Sequence, residues 1–351
     1  MRSQRFTTFS RSRGGGLLIF SSAAVLFVAA IASLAIGPTG ISLDDIGVLF
    51  DGADDQSSRQ ARLVLFDLRL PRTIVGVFVG ASLAVSGAML QGLFRNPLAD
   101  PSIIGVSGGA ALAAVTTIAL ADGPLNWWAV TLGVYALPVS AFLGGITTTA
   151  LLMLVAGRGG QMMMGTLLLA GIAFAALAMA GTGLVAFVSD DDELRDLTLW
   201  QLGSLSGSSW DKVLGIAPFA VVLLVALPTT VRALNGLLLG EAEAFHLGIN
   251  VERMKLLIVT LAAAAVGSAV AVAGIISFIG IVVPHLVRLL VGPDHRILLP
   301  AAALIGASLM VLADIVARMI VQPAELPIGI VMAMIGAPVF LHIVLRRGYT
   351  A

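Results

Sequence analysis

The sequence has no cysteine, so disulfides, thiolate nucleophiles and cysteine-ligated metals are excluded from the outset. Lysine is almost as scarce: Lys212 and Lys255 are its two occurrences, and neither follows a glycine. A phosphate-cradling GxxxxGK[ST] loop is therefore missing, and the chain binds no nucleotide through one. The four histidines, His246, His285, His295 and His342, show no HExxH or paired metal-ligand spacing, so no metal site is expected. Met162, Met163 and Met164 read as lipid or core contact, not as a methionine metal site. Charge is sparse too, and 11% charged residues against 58% hydrophobic ones cannot present a solvated surface in water. What the chain has in plenty is apolar sequence in runs of spanning length. It reads as an all-α polytopic membrane protein.

The stretch that organises the chain begins at Arg69 and reads RLPRTIVGVFVGASLAVSGAMLQGLFRNPLADPSIIGVSGGA. Arg72 and Arg95 bracket 22 uncharged residues, 73–94, enough for a helix to cross a hydrocarbon core of about 30 Å. Gly76, Gly80 and Ala84 fall four apart, which makes one face smooth enough for another helix to approach closely. Asn96 and Pro97 are expected to stop this helix, because the proline ring disfavours helical geometry at the residue before it; Pro101 bounds the turn that follows.

Ten apolar segments can be drawn: 17–36, 73–94, 102–121, 134–156 with Pro138 as a kink, 163–188, 213–228, two within 254–291, 297–315 and 326–344. The 38 residues of 254–291 are too many for one crossing, so a tight turn is placed near Gly274. The basic start, Arg2, Arg5, Arg11 and Arg13, suggests a signal peptide, but the run after it exceeds the length of a signal core and reads as an uncleaved first span. Residues 1–16 then form a cytoplasmic arm and 17–347 a single transmembrane domain. With both termini inside, the inner segments hold most of the arginines, and the outer segments 37–72 and 189–212 are rich in acids. Spans two to five and seven to ten would start on opposite sides. Any repeat between them is therefore inverted, an arrangement that puts a transport path between the halves.

The inner loop 238–249, LLGEAEAFHLGI, places Leu238, Ala242, Phe245 and Ile249 on one helical face. Glu241 and Glu243 suit the positive helix end, and Gly240 and Gly248 bound the segment. Helices that lie on lipid favour a Lys/Arg-rich polar face, so the two glutamates point to a protein partner for this apolar stripe. On the outer side Asp314 and Arg318, four apart, read equally as a self-neutralising pair or as a docking site. Arg69 and Arg72 could pair with carboxylates of a soluble partner or snorkel to the interface. Gly105, Gly108, Gly109, Gly329 and Gly336 read as helix-packing positions.

Several blocks taken together resemble a known family: RLPR, GASLAVSGAMLQGLFRNPLADPSIIGVSGGA, WQLGSLSGSSW, GEAEAFHLGINVERMK, FIGIVVPHLVR, PDHRILLPAAALIGASLMVLADIVAR and ELPIGIVMAMIGAPVFLHIVLRR. In this order, over about residues 40–347, they look like the FecCD permease subunits of bacterial ABC importers for iron complexes and cobalamin. The resemblance implies a type II importer fold of ten transmembrane helices, working as a homodimer in the inner membrane. Two ATP-binding subunits would sit beneath and a periplasmic substrate-binding protein above; no nucleic acid is involved. ATP and Mg would be used by the ATPase partner, with no cofactor bound by this chain. Within 232–253, Gly240, Glu241, Ala242, Glu243, Phe245, Leu247 and Gly248 match the coupling helix that docks on the ATPase. Arg69, Arg72 and Arg318 match positions that receive acids of the binding protein, while Gly76, Gly80, Gln91, Asn96, Pro97 and Pro101 belong to a loop and packing motif. The pathway would follow the dimer axis, with the fifth and tenth spans contributing. The block LNGLLLGEAEAFHLG is most like haem-uptake members, ferric siderophore permeases are close, and cobalamin is the alternative cargo.

Two other classes are disfavoured by the residues themselves. An ion-coupled secondary transporter needs carboxylates along its path, and Asp314 is the single candidate inside a span. An intramembrane enzyme needs a nucleophile and base at sensible spacing, and none occurs. The expectation is a translocation subunit without catalytic residues.

Overall fold

The computed structural model describes residues 8–37, 56–157 and 162–348. Arg2, Arg5, the inner Arg158 and the acids Asp44, Asp45, Asp51, Asp54 and Asp55 of the outer segment 37–72 lie outside the described residues. Among the described residues every regular element is helical. The first elements are α1 (Thr8–Ala35), α2 (Gln56–Arg62), a π-helical stretch Leu63–Arg69, α3 (Leu70–Leu93), a 3-10 turn Pro101–Ile104 and α4 (Val106–Ala119). There follow α5 (Asn126–Leu132), α6 (Ala136–Ala156), α7 (Met164–Val188), α8 (Asp191–Gln201), α9 (Trp210–Val225) and α10 (Leu227–Leu237). The last are α11 (Glu241–His246), α12 (Val251–Ala273), α13 (Ile279–Val291), α14 (His295–Met319) and α15 (Ile328–Gly348).

Among the described residues six helical stretches are long and apolar enough to cross a membrane: Gly14–Ala35, Arg59–Leu93, Asn126–Ala156, Met164–Val188, Val251–Ala273 and His295–Met319. A seventh is added if α9 and α10, which meet at 54°, are counted as one broken span. Val106–Ala119, Ile279–Val291 and Ile328–His342 are apolar but shorter. Length alone thus supports six or seven crossings where the sequence reading draws ten.

The differences have local causes. The polar segment expected over 37–72 is helical from Gln56 onward and runs without a break into α3, so Arg69 and Arg72 lie on a helix, not ahead of one. The segment drawn from residue 102 is interrupted: Asp100 accepts from the Ser102 N–H to cap a 3-10 turn, and Gly105 takes φ 75°, leaving 14 residues for α4. Pro138 does not kink α6, because it falls in the first turn, where a missing N–H costs nothing. The sixth segment does not end at Pro228 in a loop. Pro228 opens α10, and the helix continues to Leu237. The segment 189–212 contains α8, opened by a capping box between Asp190 and Glu193. The long apolar stretch does break at Gly274, whose φ of 70° ends α12.

Helix α3 is the centre of the molecule, buried on nearly every face between α12, α13 and α14. Its small residues permit this. A Cβ placed on Gly80 would fall on the Gly306 carbonyl of α14, and one on Gly306 would come 2.5 Å from the Ala84 Cβ. The two backbones therefore touch where Gly80 and Ala84 face Gly306, while Gly76 on the same face meets side chains only. Helix α7 is the opposite case, with Leu167, Gly171 and Ala178 its only buried residues.

Candidate functional site

Two polar constellations stand at opposite ends of this bundle. At the first, Arg72 on α3 grips Asp314 on α14: Nε donates to Oδ1 and Oδ2 at 3.0 and 3.1 Å, and Nη2 to Oδ1 at 2.9 Å. Its Nη1 donates to Glu325 Oε1 at 2.9 Å. Arg318, one turn beyond Asp314, meets the same carboxylate through Nε at 3.1 Å and donates to Ser33 Oγ of α1 at 3.0 Å. Ser33 pairs with Thr73 at 2.8 Å, and Arg69 donates to the Leu34 and Ala35 carbonyls at the end of α1. A guanidinium suits these orphan carbonyls because the helix C-terminus carries partial negative charge.

The three arginines expected to face outward are therefore turned inward. Arg69 and Arg318 are buried and Arg72 is nearly so, since a guanidinium leaves water only where carboxylates and carbonyls accept its donors. Together with Val64, Leu68, Ser206, Gly207, Ser208 and Glu325 they line one cavity of about 230 Å³. Burial alone would raise the Glu325 carboxyl. The hydrogen bond and charge of Arg72, with Ser206 and Arg318 assisting, hold it below the usual glutamate value.

At the other end α10 leads through Gly240, whose φ is 131°, into the short helix α11, and Gly248 at φ 76° turns the chain toward α12. Ala244 and Ile249 face inward, with Ile249 against Gly236. The apolar face read as Leu238, Ala242, Phe245 and Ile249 is thus divided, because the turn at Gly248 takes Ile249 off the helix. Leu238, Ala242 and Phe245 stay exposed, and beside them Leu239 and Leu247; Leu239, Phe245 and Leu247 are the most open, at 68%, 70% and 52%. A groove of about 620 Å³ runs beside them, lined by Glu241, Ala242, Phe245, Gly248 and the residues up to Glu252. Glu241 is not free on this surface: its Oε2 accepts from Lys255 Nζ at 2.8 Å. Glu243 folds back toward Gly240.

The motif residues after α3 form a connector. Gln91 is buried, donating to the Gly280 carbonyl of α13 at 3.1 Å and accepting from Arg288 Nη1 at 2.9 Å. The helix stops at Leu93, ahead of the Asn96-Pro97 pair. Arg95 adopts φ 49°, and the Asn96 N–H returns to the Gln91 carbonyl, closing the end in the manner of a left-handed C-cap. Asn96 Oδ1 then accepts from the Leu98 N–H, Pro97 lies between them, and Pro101 opens the 3-10 turn against Gly280. His295 ties α14 to α10 through Asn235 Oδ1 at 2.9 Å. Among the described residues no group of three His, Asp or Glu side chains is placed to hold a metal ion.

Sequence reasoning missed three participants. Lys255 and Glu252 stand three apart at the start of α12, a spacing that marks a helical ion pair. Glu325 carries no local signal, since its partner Arg72 is 253 residues away.

Residues 25–346 match the FecCD transport family. The chain is 43% identical over 286 residues to the hemin transport system permease protein HmuU of Yersinia pestis, covering 81% of this chain and 84% of that one. It is 44% identical to the cobalamin import system permease protein BtuC of Halobacterium salinarum, covering 82% and 74%. It is 37% identical to the Fe(3+)-citrate import system permease protein YfmD of Bacillus subtilis, covering 96% and 97%. Among solved structures, an inward-facing metal-chelate type ABC transporter superposes with a TM-score of 0.82 at 34% identity, covering 94% of this chain and 99% of that one.

Proposed function

The chain belongs to the FecCD transport family and is the membrane permease of an ABC importer, not itself an enzyme; from that premise we propose that its cargo is an iron complex. Haem is the first choice and a ferric siderophore the second, on the likeness to the hemin and ferric citrate permeases. Cobalamin is the other reading, favoured by the 44% identity to a cobalamin permease. The match over residues 25–346 carries the importer assignment. The cargo assignment rests on similarity alone.

The rest of the proposal concerns assembly. Two copies would form the pathway in the inner membrane, each crossing ten times with both termini in the cytoplasm. Six long apolar helices, one bent pair and three shorter ones supply ten segments for this. The uncovered Leu239, Phe245 and Leu247 beside α11 would seat in the ATPase subunit, where ATP and Mg are bound. The cavity lined by Arg69, Arg72 and Arg318 would admit an acidic side chain of the periplasmic binding protein. An ion-coupled mechanism finds no support in Asp314. It is the one fully buried acid among the described residues, and two arginines neutralise it.

The test is uptake into proteoliposomes holding the permease, its ATPase and its binding protein, offered hemin, a ferric siderophore or cobalamin. ATP-dependent accumulation of hemin or the siderophore supports the proposal, and accumulation of cobalamin alone moves the assignment to the other reading. Uphill uptake by the permease alone, under an ion gradient and without ATPase, overturns the importer mechanism.

A further inference from the structure

A lysine ammonium has three N–H donors, and the ammonium of Lys255 finds an acceptor for each. Nζ lies 2.8 Å from Glu241 Oε2 on α11, 2.9 Å from Glu252 Oε1 on its own helix and 3.2 Å from the Met162 carbonyl. Met162 immediately precedes the strand of chain that enters α7, and its own N–H donates to Glu252 Oε2 at 2.8 Å. Both polar groups of the Met162 backbone are thus held by the Lys255–Glu252 pair, and Lys255 reaches α11 with its remaining donor. The lysine side chain is 4% exposed while the glutamates are 45% and 39% exposed. The cation is the buried centre of the cluster.

Helix α7 packs within the subunit along one face only, against α4, α6 and the 3-10 turn Pro101–Ile104. Three of its residues are buried, and Gly171 rests on the Ile103 carbonyl. Its entry is held by the polar clasp at Met162 together with the Met163 N–H, which donates to the Ala156 carbonyl at 3.1 Å.

We propose that Lys255 is a positioning residue that couples α11 to α7, so that displacement of α11 by a docked ATPase is delivered to the entry of α7. This rests on the importer reading above and adds a route for the motion within one subunit. Three short hydrogen bonds converge on one ammonium. A shift of Glu241 therefore either drags Met162 with it or breaks a buried charge contact, which is costly. The exposed glutamates can follow such a shift while staying solvated.

The experiment uses the full complex in proteoliposomes, comparing wild type with Lys255→Met, Lys255→Arg and Glu241→Gln. Expected for Lys255→Met is normal assembly and ATP hydrolysis, with cargo moved per ATP reduced about tenfold; Glu241→Gln shows the same loss of cargo per ATP when read against the ATPase co-purified with it, and Lys255→Arg retains most coupling. Because the chain has no native cysteine, spin labels at Met163→Cys and His246→Cys read the α7-to-α11 distance directly. In the wild-type background that distance stays constant through the nucleotide cycle; in Lys255→Met it changes, because α11 moves alone. Unaltered transport per ATP in Lys255→Met overturns the proposal. So does failure of Lys255→Met to assemble combined with wild-type coupling in Glu241→Gln, which makes the cluster a folding staple only. A wild-type complex without ATP-driven uptake would instead refute the importer reading, a result visible before any variant is compared.

Discussion

Arg72 and Asp314, 242 residues apart in sequence, meet side by side at the junction of α3 and α14, with two guanidinium nitrogens on one carboxylate. The pair is buried, and the same carboxylate also serves Arg318. Truncating Asp314→Ala leaves the buried Arg318 without its carboxylate and Arg72 with Glu325 alone, and is expected to cost about 3–5 kcal/mol. Arg72→Lys should recover little, because an ammonium cannot reproduce the planar fork. Melting of the purified protein in detergent, followed by tryptophan fluorescence, measures both. Wild-type melting in Asp314→Ala would show the pair to be energetically idle.

Glu325 supplies a pH dependence. Its carboxyl is held below the ordinary glutamate value, so the folded state binds its proton less readily than the unfolded one. The contribution is complete above about pH 4.3 and is lost as pH falls through the lower, folded value. Glu325→Gln should therefore flatten the acid limb of a stability profile below that pH and leave the neutral region parallel to wild type. An unchanged acid limb would mean that another carboxylate governs it.

Phe245 is the cleanest probe of ATPase docking. It is 70% exposed with no polar partner to lose, so Phe245→Asp should insert and fold normally while ATP-driven uptake drops about tenfold or more. Glu241→Lys is a poorer probe, because it also places a second cation against Lys255. Co-purification of the ATPase with Phe245→Asp at wild-type yield would count against docking there.

The contact between α3 and α14 predicts a contrast between two glycines. Gly80→Ala drives a methyl into the Gly306 carbonyl and should destabilise by about 1–3 kcal/mol. Gly76→Ala meets the tip of the Leu205 side chain at 3.2 Å, which can yield, and should be nearly silent. Equal expression and melting of the two variants would contradict the packing described.

A reporter fused after Arg347 tests the proposed topology. Cytoplasmic activity is expected, and periplasmic activity would require an odd number of crossings.

The parts of the molecule that were legible in the sequence are those set by local chemistry. The small-residue face of α3, the break at Gly274 and the limits of α11 at Gly240 and Gly248 all follow from what glycine permits within a few residues. The capping box at Asp190 and Glu193 is equally local, but it is hidden within a run of acids whose plain charge marks the segment only as polar. The candidate sites were legible in composition and not in orientation. Spacing alone cannot tell an arginine facing solvent from one facing a carboxylate 242 residues away, and Arg72 is the second kind. Nor can it show that Glu241 is engaged by Lys255, since that contact exists only once α10, α11 and α12 have folded into a corner.

The uninterrupted helical run Arg59–Leu93 has 35 residues, which at about 1.5 Å each is some 50 Å of rod, against roughly 30 Å of hydrocarbon to cross. The excess stands as a rigid mast above the point where Arg69 is lashed to the end of α1. In the proposed assembly a soluble protein settling on that tip would push on a rod pinned at the arginine cluster, whose longer part beyond the pin is seated against α14 at Gly80. In that assembly, arrival of cargo at one surface would be felt mechanically at the middle of the bundle.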